Sequence, residues 1–366
     1  MPLLEFRLKP TLQPLTDAWQ HLPVTRRGST RLGISFRPLQ AAAFGLDPQS
    51  TLQALLAYPF QIIRLGAYWN RIETGPGVFQ PFALDWQVEA AERAGKQIIL
   101  CLGPLKTFGY PEFFVPAHHL QQPFPEHRLV KPSKYPDLLK AATEFSLRLV
   151  DRYQGHASII AWQLEHEAVD PLGVEHSWRL QADFVKQEAL AIRQADPTRP
   201  LMMNGFLPTS LLVRISQWWQ TRDQGDSLAV AQRLADMVGI DYYPRHALLA
   251  LGSRTLYLDG SRSPWMRPRR QQLLAWAGVD RHKLLVSEGQ AEPWEAVTVP
   301  ANPLAQAMFT CLPEHILDNY NTCMGWFGEK IPLYAYLFWG AEYWMLRKQS
   351  SDSSYLQAFN RILENS

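Results

Sequence analysis

Eight short β-rich runs recur along the chain, each followed by a longer segment that suits a helix. This alternation constrains the fold more than any other feature. The runs lie at 31–36, 61–67, 96–103, 158–165, 200–204, 237–243, 283–288 and 333–338, and the amphipathic stretches between them include 83–94, 138–153, 178–195 and 303–320. Strands alternating with helices imply βαβ units and a parallel sheet. Eight such units in one chain predict a single (β/α)8 TIM barrel over 1–366, with 1–30 as a segment leading into it. Several runs are apolar almost throughout, as strands covered on both faces must be. A minimal barrel needs only ~250 residues, so the surplus belongs in long βα loops. The longest, 104–136, holds seven prolines and the adjacent His118 and His119, so it cannot be one helix.

Composition excludes several classes of function. A formal net charge of +2 gives no reason to expect nucleic acid or an anionic membrane as partner. The one dense basic stretch, Arg267 to Arg270, reads as a solvated loop. Cys101, Cys311 and Cys323 form neither a disulfide framework nor a Cys-x-x-Cys site, and read as buried free thiols. The first residues lack a basic region followed by a long apolar run, and no apolar stretch approaches the ~20 residues of a membrane span, so a cytoplasmic location is expected.

Barrel enzymes place their chemistry at the carboxyl ends of the strands, so polar residues there are informative. The fourth run ends Gln163-Leu164-Glu165-His166-Glu167 and the seventh ends Val286-Ser287-Glu288. Two carboxyls on strands across one mouth suit the cleavage of a glycosidic bond: one attacks the anomeric carbon while the other protonates the departing oxygen. An attacking carboxylate needs a fixed cation and a hydroxyl donor. Arg64, ending the second run, and Tyr243, ending the sixth, can supply them. Strand alternation groups Ile62, Arg64 and Gly66 on one face, Gly239, Asp241 and Tyr243 on another, Ala335, Leu337 and Trp339 on a third, and Leu284, Val286 and Glu288 on a fourth. In the fourth run it groups Glu165 with Glu167 and turns His166 away, so a bulge would be needed for His166 and Glu167 both to reach a ligand.

These segments resemble clan A glycoside hydrolases. Trp162 to Glu167 is similar to their strand-four signature, and Val286-Ser287-Glu288 with Trp294 to their strand-seven nucleophile. Tyr68 to Glu73 resembles the strand-two segment of the β-galactosidase-like and cellulase-like members. Gly109-Tyr110-Pro111-Glu112-Phe113 resembles their segment after strand three, and Leu337 to Trp344 their strand eight. The resemblance implies a retaining β-glycosidase with Glu167 as acid/base and Glu288 as nucleophile. Arg64 and Tyr243 then support the nucleophile, and His166 and Trp339 contact the sugar. His166 departs from the usual Asn and matches the His-Glu pair of the family 26 mannanases. Trp69, Trp294 and His119 are further substrate-binding candidates.

The structural readings stand beside these. Glu165 and Asp241 read as buried hydrogen-bond partners and Glu73 as a local pairing residue. Adjacent histidines seldom converge on one ion, so His118 and His119 read as loop or subsite contacts. His166-Glu167-Ala168-Val169-Asp170 begins like a His-Glu-x-x-His zinc motif but has Asp in place of the second His and ends a strand. No metal or organic cofactor is expected, because the two carboxyls supply the acid, base and nucleophile. The expected partner is a carbohydrate, and a homo-oligomer is compatible with the sequence. A catalytically inactive sugar-binding barrel, or a transglycosylase using the same site, are the alternatives.

Overall fold

The structure is a computed structural model and describes residues 5–109, 112–120, 122–170, 178–279, 282–293, 303–326 and 331–366. Trp294, Tyr110 and Pro111, singled out in the sequence, lie outside them. Eight parallel strands close into a barrel: β1 Arg31–Ser35, β2 Ile62–Gly66, β3 Gln97–Cys101, β4 Ile159–Gln163, β5 Leu201–Phe206, β6 Met237–Tyr242, β7 Lys283–Gln290 and β8 Ala335–Trp339. Each pairs with its neighbours in chain order, and β8 with β1 completes the ring. The chain therefore has the (β/α)8 TIM-barrel fold that the alternation predicts.

The barrel interior is filled by Ile62, Ile99, Ala161, Met202, Met237, Leu285, Ala335 and Leu337, one or two from each of seven strands. Residues of opposite parity, such as Ile63, Leu65, Val238 and Ile240, face the helical ring and join the larger outer core. The helices meet them with periodic apolar faces. Pro136–Tyr153 buries Leu138, Ala142, Phe145 and Leu149, spaced three or four residues apart, one stripe of a 3.6-residue period. At Gly239 an added Cβ would collide with Ser287 Oγ and Met202 Cε, so the deep position beneath Asp241 has room only for glycine.

Three local expectations are corrected. Residues 303–320 are not one helix: Gln306–Met308 is a strand paired with Leu12–Pro14, and the helix begins at Pro313, where proline suits a first turn. Arg267–Ala277 is a helix instead of a solvated loop, with Pro268 in its first turn and Arg269 paired with Asp226. The N-terminal segment does more than lead into the barrel. Phe6–Pro10 pairs antiparallel with Arg254–Asp259, the second arm of a hairpin inserted after β6. All three cysteines are free and buried. No helix among the described residues is long and apolar enough to cross a membrane.

Candidate functional site

Arg64 organises the mouth of the barrel. Its position on the inward face of β2 follows from alternation with Ile62, and its guanidinium is completely buried. Burial alone would lower its pKa, but the charges of Glu288 and Asp241 more than offset this and raise it. Nε donates to Gln163 Oε1 at 2.6 Å and one terminal nitrogen donates to Glu288 Oε1 at 2.5 Å. The Phe108 ring lies 4.0 Å from the guanidinium carbon. Glu288 accepts at its other oxygen from the Tyr243 hydroxyl, at 2.6 Å. Both carboxyl oxygens thus accept charge-assisted or hydroxyl bonds, the environment of an anion held in one orientation.

Glu288 reaches this place through an irregularity. Alternation puts it with Leu284 and Val286, yet those two belong to the outer core. In the β6–β7 pairing Ile240 faces Val286 while Asp241 faces Glu288, so β7 carries an extra residue at Ser287. Across this bulge both Ser287 and Glu288 face the interior: Ser287 Oγ donates to Asp241 Oδ1 at 2.6 Å. Bulges beside active sites commonly re-aim a side chain in this way. The assigned face of β7 is therefore wrong, although the residue at its end is in the mouth.

The end of β4 is bent twice. Glu165 and Glu167 both have positive φ, +48° and +43°, which an L residue adopts at a cost of order 1 kcal/mol or more. The turn separates three consecutive side chains. Glu165 points away from the mouth and accepts from the backbone N–H groups of Leu105 and Lys106, at 3.2 and 2.6 Å, as a structural carboxyl would. His166 and Glu167 turn inward. The buried Lys106 ammonium holds the bend by donating to the carbonyls of Glu167 and Asp170.

His166 Nδ1 lies 2.9 Å from Asn204 Nδ2 and 3.4 Å from an Arg64 nitrogen. Both are donors, so Nδ1 accepts and the ring proton sits on Nε2. Burial, with Arg64 and Lys106 nearby, holds its pKa well below the usual histidine value, which keeps the ring neutral. Its 3.5 Å approach to Glu288 Oε1 therefore reflects a shared lean on Arg64, not an ion pair.

Glu167 is buried beside other carboxyls. Burial raises its pKa well above the ordinary carboxyl value, and the charges of Asp241, Asp170, Glu112 and Glu288 raise it further. Asp241 shares a hydrogen bond with it. Asp241 also accepts from Asn204 Nδ2 at 2.5 Å and from Ser287. Those three donors favour the carboxylate form of Asp241, so Glu167 is the partner that keeps its proton longest. Burial first, and Glu288 second, push Asp241 up to about 8.

Raised buried carboxyls have a consequence for stability. The folded protein retains protons on Asp241 (about 8) and Glu165 (about 7, raised by burial) that an unfolded chain releases near 4. More protons bound to the native state make stability fall as pH rises. Urea denaturation should therefore show stability declining between about pH 5 and 8, and Asp241→Asn should flatten the slope. The depressed carboxylates, such as Asp196, act below this window. The buried His166, His246 and His315, whose pKa values burial lowers, oppose the decline below about 6.5, so it should be steepest above that pH. Stability that rose with pH across it would contradict the assignment.

Trp339 stands at the end of β8, with Phe108, Phe206 and Tyr243 completing an aromatic group at the mouth. The Arg37 guanidinium lies over its ring, 4.2 Å from the centroid. Arg37 is held by Glu292 at 2.7 Å and Glu342 at 2.6 Å, all three buried. Trp69, expected at a subsite, is instead fully buried: it stacks on Phe145 and donates from Nε1 to Glu73 at 2.8 Å, so no face is left for a sugar. His119 likewise is directed at Glu73 and not at Glu288. Sequence reasoning missed Asn204, Lys106, Glu112 and Arg37. A polar residue ending the fifth apolar run, 200–204, was the available signal for Asn204. The others lie in loops where alternation says nothing.

No protein-family model matches the chain, and no curated protein matches its sequence. Solved structures do share its fold. One is a GH5_18 protein from Streptomyces cattleya in complex with GlcNAc, at 14% identity and TM-score 0.54, covering 85% of this chain and 70% of that one. Another is a xylanase from Paenibacillus barcinonensis complexed with a conduramine derivative, at 15% identity and TM-score 0.52, covering 90% and 87%. A third is an exo-β-1,4-mannosidase from Opitutaceae bacterium strain TAV5, at 14% identity and TM-score 0.51, covering 89% of this chain and 55% of the other. At this identity the likeness is one of fold.

Proposed function

We propose that the protein is a retaining glycoside hydrolase acting on β-glycosidic bonds of oligosaccharides or small glycosides. One observation carries the reading: Glu288 accepts from both Arg64 and Tyr243, an anion's environment, within one buried carboxyl cluster whose burial and charge favour the protonated form of Glu167. Two carboxyls of opposite protonation state at one site are what double displacement requires. Glu288 attacks the anomeric carbon as the Glu167 proton passes to the departing oxygen. Glu167, now a carboxylate, then takes a proton from the water that opens the glycosyl ester.

Fold neighbours that include a xylanase and a β-mannosidase support this reaction class. Trp339 at the mouth offers a ring for the C–H face of the sugar, and neutral His166 offers its Nε2–H to a ring hydroxyl. Hydrolysis and transglycosylation share the ester and differ only in which acceptor opens it.

The test is a panel of 2-deoxy-2-fluoroglycosides with a good leaving group, read by intact mass and peptide mapping. The expected result is one added fluoroglycosyl group per chain, on Glu288. Tight binding of sugars with neither labelling nor turnover would instead identify an inactive sugar-binding barrel.

A further inference from the structure

Glu73, His118 and His119 come from two different loops, those after β2 and β3, and meet at one point. His118 Nε2 lies 2.9 Å and His119 Nε2 2.8 Å from the same oxygen, Glu73 Oε1. The three donor atoms all lie within 4.8 Å of one another. Two features make the convergence possible. The histidines occupy a short 3-10 helix, Ala117–His119, where the rings sit 4.4 Å apart at 45°. The second carboxyl oxygen of Glu73 is tied to Trp69 Nε1, so Oε1 is the one turned towards the rings. Trp69 is itself immobilised between Phe145 and His119.

We infer that Glu73, His118 and His119 form a binding site for a divalent transition metal, with zinc as its first ligand. The inference is independent of the glycosidase reading and runs against the expectation that adjacent histidines seldom converge on one ion, since both rings here meet one carboxyl oxygen. Two imidazole nitrogens and one carboxylate oxygen are a donor set that zinc accepts, leaving a fourth position for water. Tetrahedral bonds of ~2.0–2.1 Å place ligand atoms ~3.3 Å apart, so the two histidine–Glu73 separations need open by only a few tenths of an ångström, and the three atoms already lie within 4.8 Å of one another. Both histidine side chains are 23% exposed, which leaves a route for the ion. On binding, each ring exchanges an Nε2–H hydrogen bond for a metal bond. The displaced proton passes to solvent or to Nδ1 of the same ring. Trp69 then plays the part that outer partners of metal ligands generally play, fixing the carboxylate so that the free oxygen faces the ion.

The test titrates the chelator-stripped full chain with zinc alone, by calorimetry and equilibrium dialysis. One zinc per chain at micromolar or tighter affinity is expected, and cobalt in its place should give the visible absorption of a four-coordinate ion. Loss of a ligand in His118→Ala or His119→Ala should weaken binding by more than the ~10–100-fold typical of losing an outer partner, the range expected for Trp69→Phe. A second cluster, His166, Asp241 and Glu288, also brings potential ligand atoms within 4.8 Å, so Glu288→Gln is the control and should keep the full stoichiometry. Zinc should also protect His118 and His119 of the unaltered protein from acylation by diethyl pyrocarbonate, read by peptide mass. No stoichiometric zinc, binding untouched by both histidine variants, or binding lost in a Glu288→Gln protein whose circular dichroism matches the parent would each overturn the inference.

Discussion

Glu288→Gln is expected to reduce turnover of every β-glycoside by more than the ~10²–10⁴-fold that acid–base assistance usually contributes. The replacement keeps the shape of the side chain but removes both its charge and its nucleophilicity. It also places an amide where Arg64 and Tyr243 each donate to a carboxyl oxygen, so one donor meets an N–H group and loses its partner. Arg64 is fully buried and would lose its nearest counter-charge, a change that generally costs several kcal/mol. Folding must therefore be checked by circular dichroism alongside kinetics. The smaller Glu288→Ala separates chemistry from folding, because it opens space on the face the carboxylate occupied. Azide entering there attacks the substrate directly, and a single displacement yields the α-glycosyl azide. A variant that stayed as active as the parent, or gave only a β product, would remove Glu288 from the nucleophile's role.

The barrel was legible because its signal is repetitive. Eight apolar runs must be buried on both faces, and no single misplaced boundary changes their number. Three of the inward faces also followed from alternation: Ile62 with Arg64, Gly239 with Asp241, and Ala335 with Leu337 all point into the barrel. Alternation failed where the chemistry is concentrated. Glu288 lies past an extra residue in β7, and His166 and Glu167 lie on a strand end bent by two left-handed residues. A period of two cannot foresee an added residue, and neither glutamate's positive φ has a signature such as glycine would leave. The partners of Arg37 were hidden for a different reason. Arg37, Glu292 and Glu342 are separated by up to 305 positions yet share one ion cluster, and only the closed ring of strands brings them together. Trp69 was misjudged because an aromatic after a strand can serve a sugar or a core equally well. Its indole N–H found Glu73, and that bond turned the ring inward.

Glu167→Ala should behave differently from the Glu288 variants, and the difference depends on the leaving group. An alkyl or sugar alcohol leaves as a poor alkoxide unless it is protonated, so kcat/KM for such substrates should fall by ~10²–10⁴-fold. A dinitrophenolate needs no proton, so formation of the glycosyl ester from its glycoside should be nearly unaffected. Opening of the ester still lacks its base. The intermediate should accumulate, seen as a burst of phenolate followed by slow turnover. Azide needs no base and fits the space left by the carboxyl, so it should restore turnover and give the β-glycosyl azide, opposite in configuration to the Glu288→Ala product. The pH profile supplies an independent check. In the parent, Glu167 must be protonated for the first step, and burial with Asp241 beside it extends that form upward in pH. Activity should therefore fall only once pH rises far enough to take the proton from Glu167, which holds it longer than Asp241 does. In Glu167→Ala, with the dinitrophenyl substrate, that basic limb should vanish from kcat/KM. A limb that persisted unchanged, or an alkyl glycoside cleaved at the parent rate, would assign the proton donor to another group.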